Sequence, residues 1–320
     1  MMRRPMKIAV IGAGAMGSLF AARLLDAGAE VTLVDVDPRL LETLRTRGLC
    51  LEDEQGTRVF WPEAARAEDL HGGVDAVLIL TKSYHTRQAM QACRHLVGPQ
   101  TLVLTLQNGL DSVPVLREFV ADRCLAIGMT LYPADVLAPG VVRSCGGGEV
   151  RLRGFLAGPE HANCAPLRVL VDALRRAGMR CTEDPHIEVS IWEKVAFNTA
   201  LNSLCALSGK SVGEVGRCAR GRELAFALVT EASTIAVASG VAVDPRGIVQ
   251  TVEQAFVVHA GHKPSMLQDL EHGRRMEIDA LSGALLVHAR RHGVRAPVMS
   301  AVDRLLRRVH RRAGQTSVQR

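Results

Sequence analysis

The chain has 320 residues, 48% hydrophobic and 22% charged, which supplies two packed cores and excludes wholesale disorder. Lys and Arg number 39 against 33 Asp and Glu, a net charge of +6 that suits an anionic ligand without implying nucleic acid. Eight cysteines (Cys50, Cys93, Cys124, Cys145, Cys164, Cys181, Cys205 and Cys218) form no CxxC pair and have no His at zinc spacing, so most read as small core residues in a reducing, cytoplasmic setting.

The first half alternates strand and helix. Lys7 to Ile11 is the continuous apolar run of a buried parallel strand, not a secretory segment. Ala15 to Ala27 follows as a helix closed by Gly28, then Glu30 to Val36 as a second strand, and Pro38 opens a helix toward Arg47. Asp75 to Leu80 is a buried strand, Tyr84 to Leu96 a helix, and Thr101 to Leu106 a further strand ending at Gln107-Asn108-Gly109. From about Arg123 to Arg153 the chain is strand- and glycine-rich, able to extend the sheet, and Val169 to Ala177 (helix) and Met179 to Thr182 (strand) complete it. The alternation predicts a doubly wound parallel sheet. After Asp184-Pro185 the patterns are helical: Ile187 to Leu207, Arg222 to Ser239, Pro245 to His259, Ile278 to His292 and Pro297 to Arg308. The expected architecture is therefore α/β, a Rossmann-type dinucleotide-binding domain over 1–184, followed by an all-α substrate and dimerisation domain over 185–320. No apolar run reaches membrane-spanning length. Arg304, Arg307, Arg308, Arg311 and Arg312 read as the solvated face of a last helix, and with no aromatics interleaved they give no nucleic-acid platform.

The motif that carries chemistry is Gly12-Ala13-Gly14-Ala15-Met16-Gly17, placed between strand and helix with a second strand after it. Gly12 permits the tight turn, Gly14 the approach of a pyrophosphate to the backbone, and Gly17 close packing of helix on strand. The pyrophosphate would meet free N–H groups at a helix N-terminus. Asp35, at the end of the second strand, would accept from the adenosine ribose hydroxyls and repel a 2′-phosphate, which favours NAD(H). Arg39 nearby keeps NADP(H) open as the alternative, and Asp37 is better placed than Asp35 to cap the next helix.

In the second half Lys194, Asn198 and Asn202 recur four residues apart and share one helix face among apolar neighbours. Either this stripe faces solvent, or it is buried and needs a polar partner such as a carboxylate, ketone or hydroxyl. Ser265, in Ser265-Met266-Leu267-Gln268-Asp269, can cap a helix or donate to a ligand carboxylate. Glu277 begins a helix, where an acid is commonly a dipole partner.

These motifs together resemble the ketopantoate reductase family (2-dehydropantoate 2-reductases) along essentially the whole chain. The glycine turn is followed by Thr81-Lys82, Gln107-Asn108-Gly109, Trp192-Glu193-Lys194 with Asn198 and Asn202, the Ser265 motif, and Glu277-Ile278-Asp279-Ala280. The resemblance implies an active site in the cleft between the two domains and NAD(P)H-dependent reduction of a 2-keto acid, first of all 2-dehydropantoate to pantoate in pantothenate biosynthesis. It implies that Lys194 is the general acid and that Glu277 sits by the same oxygen. It implies that Asn108 touches nicotinamide and substrate, that Ser265 binds the substrate carboxylate, and that Asn198 and Asn202 bind its other polar groups. Lys82 and the backbone of Ala134 would line the cofactor. Three positions depart from the family's pattern. Asp35-Val36-Asp37 stands where an Arg often follows the second strand, His262 replaces an Asn before the Ser265 motif, and a further Asn falls on Val212 or Gly213. A different 2-hydroxy acid dehydrogenase on the same scaffold therefore stays open, and a nonenzymatic dinucleotide sensor is a remote third reading. A helical second domain offers surfaces for a homodimer.

Overall fold

The computed structural model describes residues 4–156 and 165–317; Cys164 lies outside them. The chain forms two compact units. One runs to Gln107 and resumes from Ser112 to Ile187; the other joins Asn108–Asp111 to everything from Glu188 onward.

The strands of the first unit are β1 (Lys7–Ile11), β2 (Glu30–Val34), β3 (Leu49–Asp53), β4 (Gly56–Phe60), β5 (Glu63–Ala65), β6 (Ala76–Ile79), β7 (Leu102–Thr105), β8 (Leu125–Thr130), β9 (Asp135–Ala138), β10 (Val141–Arg143), β11 (Val150–Gly154) and β12 (Cys181–Glu183). Eight of them make one sheet in the order β12-β11-β8-β7-β6-β1-β2-β5. From β5 to β8 every pairing is parallel. The order reverses between β1 and β6, so the loops leaving their carboxyl ends flank the crevice where doubly wound sheets hold ligands. β11 returns antiparallel to β8, and β12 lies parallel beyond it. The strand-rich segment expected to extend the sheet thus does so only in part. β9 and β10 join β3 and β4 in a separate four-stranded sheet.

Helix α1 (Ala15–Asp26) is buried on nearly every side, through Leu19, Phe20, Ala21, Ala22 and Leu24. Its end is fixed by Gly28, at φ +79°, and by Ala29 N–H donating to Leu24 O at 3.0 Å. Helix α2 (Pro38–Arg47) starts as expected, with Asp37 accepting from Arg39 N at 2.9 Å and Pro38 in its first turn. The segment expected as one helix from Tyr84 to Leu96 is instead three short pieces: a 3₁₀ turn Ser83–His85, the helix Thr86–Ala92 and a 3₁₀ turn Arg94–Leu96.

The second unit is helical, with its principal elements at Ile187–Ser208, Ala219–Ala238, Pro245–Val258, Ser265–Glu271, Ala284–Arg291 and Pro297–Ser317. Its core includes Trp192, Leu201, Leu228, Phe256, Met276, Leu285 and Met299. Glu231, on the Ala219–Ala238 helix, caps the helix at Pro297 by accepting from Val298 N and Met299 N at 2.9 and 2.7 Å. The basic last helix is not all solvent-facing: Arg304, Arg308, Arg311 and Arg312 are exposed, but Arg307 pairs with the buried Asp303 and with Asp279, both at 2.7 Å. No helix among the described residues is long and apolar enough to cross a membrane. Burial pushes the Cys93 and Cys181 thiols up to about 11 and Cys205 to about 12, which keeps them neutral.

Candidate active site

The glycine turn sits at the carboxyl end of β1, and its three glycines serve different needs. Gly12 lies at φ +101°, and a side-chain carbon there would come within 2.9 Å of Thr81 N. At Gly17 a Cβ would lie 1.7 Å from Gly12 O, far inside van der Waals contact with an atom that cannot move without opening the turn. Gly14 is different. Its backbone is ordinary (φ −72°, ψ −167°), and a Cβ would meet nothing within 4 Å. The fold itself does not require glycine there; a ligand approaching the first turn of α1 would. Gly14 is also the N-cap of α1 and makes no side-chain cap, so Ala15, Met16 and Gly17 open the helix with its dipole toward that space. The residues present therefore fit a dinucleotide pyrophosphate.

Asp35 is more occupied than the sequence suggests. One carboxylate oxygen accepts Ala13 N–H at 2.7 Å; the other accepts Val36 N–H at 2.7 Å and Asp37 N–H at 3.0 Å. The acid expected to face a ribose thus first ties the glycine turn to the end of β2. Three of about four acceptor positions are in use, which leaves room for one hydroxyl beside Ala13.

Across the crevice the ends of β6 and β7 are held by Gln107, a residue given no role from sequence. Its Nε2 donates to Thr81 O at 2.8 Å and to Thr86 Oγ1 at 3.0 Å, while Thr105 Oγ1 donates to its Oε1 at 3.1 Å. These bonds fix the backbone of Thr81, against which Gly12 packs, and with it Lys82, half-buried at the start of the 3₁₀ turn. Ala134 is half-buried against the core of the same unit.

In the second unit the helix Ile187–Ser208 carries the polar stripe, and burial decides between its two readings. Asn202 is buried; Lys194 and Asn198 are half-buried; Trp192, Val195, Ala196, Ala200 and Leu201 around them are buried. The stripe is therefore not a solvent-exposed face. Desolvation pushes the Lys194 ammonium down to about 8, against the opposing pull of the Glu277 carboxylate. Glu277 is only 8% exposed. It precedes a π-helical turn, Asp279–Gly283, closed by Gly283 N–H on Ile278 O at 2.9 Å. Such wide turns concentrate at functional sites. The turn also gives Ala280 O to Leu110 N–H at 3.2 Å, and Gly109, at φ +101°, presses so close to Ala280 that a Cβ there would lie 2.5 Å from its carbonyl oxygen. That contact anchors the half-buried Asn108 in the second unit.

The ketopantoate reductase PanE/ApbA family model matches residues 8–155, and its C-terminal model matches residues 186–310. The chain belongs to the ketopantoate reductase family. Its members are NAD(P)-dependent oxidoreductases acting on CH–OH groups. The chain is 33% identical to a 2-dehydropantoate 2-reductase of Halobacterium salinarum over 96% of its own length and 99% of the relative's. Among solved structures it is similar to D-mandelate dehydrogenase held with NADH and anilino(oxo)acetate, with a TM-score of 0.91, 27% identity, and 96% and 99% of the two chains covered. It is also similar to a 2-dehydropantoate 2-reductase from Geobacter metallireducens GS-15, with a TM-score of 0.87, 28% identity, and 94% and 99% covered.

Against the family pattern, Ser265 is exposed and is the first residue of its helix. Pro264 occupies the N-cap and no side chain caps the helix, so the capping role open to Ser265 from sequence is not realised. Two of the positions read as departures from the family's pattern, His262 and Val212-Gly213, prove to be neighbours. Val212 N–H donates to His262 O at 3.0 Å and Gly213 N–H to Ala260 O at 2.9 Å. A Cβ on Gly213 would lie 2.6 Å from that of Ala260, and Val212 is buried. At this corner of the second unit His262 is exposed beside the buried Val212.

Proposed function

We propose that this protein reduces a 2-keto acid to its 2-hydroxy acid, with 2-dehydropantoate the first substrate to test. The observation that carries this reading is Lys194, an ammonium desolvated on a core helix and faced by the buried Glu277 carboxylate. A reduced nicotinamide, when bound at the glycine turn, supplies the hydride. As negative charge builds on the keto oxygen, the ammonium at Lys194 Nζ gives it a proton. A donor at about 8 is still charged at neutral pH, yet is a stronger acid than an ordinary lysine. Glu277 orients that ammonium and keeps it charged despite burial. Asn198 and Asn202 offer amides to the rest of the substrate, and the exposed Ser265 hydroxyl is available to its carboxylate.

The test is a panel of 2-keto acids, including 2-dehydropantoate, pyruvate and phenylglyoxylate, each assayed with NADH and with NADPH. Reduction of at least one supports the reading, and a panel with no turnover overturns it. A second reading, a dehydrogenase of another 2-hydroxy acid, is favoured by the corner at Val212, Gly213 and His262. It predicts that an apolar keto acid outruns 2-dehydropantoate.

For the cofactor we propose NADH. Asp35 holds a carboxylate at the end of β2 with one acceptor position left, where a ribose hydroxyl fits and a 2′-phosphate is repelled. Asp35→Ala is expected to lower the NADH-to-NADPH ratio of kcat/KM by about tenfold, one close charge interaction near a surface. Wild-type protein that already prefers NADPH, or an unmoved ratio in the variant, would falsify this assignment.

A further inference from the structure

One half-buried acid, Asp111, lies outside the machinery described so far. Asp111 ends the segment that Leu110 and Gly109 pin to Ala280. It precedes the short helix Ser112–Leu116, where an Asp ordinarily caps by accepting backbone N–H groups of the first turn. It does not do so: its Oδ1 is buried and makes no hydrogen bond. Two further carboxylates act on it, Glu277 and Asp279. Asp279 is compensated by Arg307 at 2.7 Å and Arg275 at 3.3 Å, and Glu277 is opposed by Lys194. Asp111 has no cation of its own among the described residues. Burial first, and these like charges after it, raise its carboxyl to about 6.

We propose that Asp111 is a positioning residue for the keto-acid reaction: acting beside Glu277, its carboxylate sets the net charge that an anionic substrate meets at Lys194. This rests on the 2-keto-acid reading above. Lys194 and Glu277 cancel, so the proton on Asp111 decides whether the cluster is neutral or negative. A substrate carboxylate enters a neutral cluster more readily. Binding the anion therefore favours the protonated form of Asp111, and the complex takes up a proton. Affinity for the keto acid falls as pH rises through about 6, two units below the point at which Lys194 loses its own proton.

The experiment follows KM and kcat for the best keto acid from pH 5.5 to 7.5 in wild type, Asp111→Asn and Asp111→Glu, with thermal melts to confirm folding. For wild type, KM is expected to rise about fivefold, a partly screened charge at several ångströms. In Asp111→Asn it stays flat and low with kcat within about twofold, whereas Asp111→Glu restores the rise; a structural role alone would not move KM with pH in this way. The same series is read without turnover by titrating the NADH complex with oxamate, an unreactive anionic analogue, through nicotinamide fluorescence. If wild type reduces no 2-keto acid, the functional reading falls. An oxamate affinity that drops with pH in wild type but not in Asp111→Asn then still upholds the charge assigned to Asp111. A flat wild-type profile, an Asn variant that keeps the wild-type slope, or oxamate that binds neither protein overturns the proposal.

Discussion

Lys194→Met is expected to lower kcat for keto-acid reduction by roughly 10²–10⁴, the usual contribution of a positioned general acid, while NADH affinity changes less than about twofold. Methionine suits the test because it fills similar apolar volume on a helix whose flanks are Trp192, Val195 and Ala196. The loss should then reflect the missing proton and not a hole in the core. The pH profile supplies the second arm. Only the ammonium form can donate, and desolvation puts its loss near 8. Wild-type kcat should therefore hold up to about pH 8 and fall about tenfold per unit beyond it, and the residual rate of the methionine variant should show no such limb. A variant with near-normal turnover, or a wild-type profile level to pH 10, would remove Lys194 from the chemistry.

What could be read in the sequence, and what could not, follows from the range of the interactions. The strand Lys7–Ile11, the glycine turn and α1 are local patterns, and they lie where composition puts them. The hairpin of β3 and β4 escaped notice because its alternation is broken by a charge. Leu49 and Leu51 face inward as a strand requires, but the third inward position is Asp53, buried only because Arg23 and Arg58 meet it at 3.0 and 2.8 Å. The helix expected from Tyr84 to Leu96 breaks because side chains compete with its backbone: Thr86 Oγ1 donates to Ser83 O at 2.7 Å while accepting from Gln107. At the site, spacing alone joined Lys194 to Asn198 and Asn202, since one helix carries all three. Glu277 was joined to them by family resemblance alone, because tertiary folding has no local signature. Asp111 and Gln107 were invisible as functional residues for the same reason. What singles them out is a buried unpartnered oxygen in one case and hydrogen bonds to three threonines, Thr81, Thr86 and Thr105, in the other.

The glycine turn allows folding and cofactor binding to be separated by two substitutions of the same chemistry. In Gly17→Ala the new methyl would sit 1.7 Å from Gly12 O, with Val10 Cγ1 at 3.5 Å on the strand below. Relief requires α1 to move off β1, which disturbs Leu19, Phe20 and Ala21 at the centre of the core. Such overpacking costs about 3 kcal/mol or more, a fall in Tm of roughly 10 °C, and the displaced helix end no longer aims its N–H groups at a pyrophosphate. Gly14→Ala meets no clash and adopts an allowed backbone, so Tm should move little. Its methyl nonetheless occupies the space in which the pyrophosphate would approach the helix. NADH affinity, read by nicotinamide fluorescence, is therefore expected to fall more than about tenfold in Gly14→Ala and about a hundredfold in Gly17→Ala, the loss of one or two well-aimed interactions with an anion. Fluorescence titrations and melts on both variants separate the two roles. If Gly14→Ala binds NADH as tightly as wild type, the open space before α1 is not where the dinucleotide goes, and its glycine has no explanation in either the fold or the ligand.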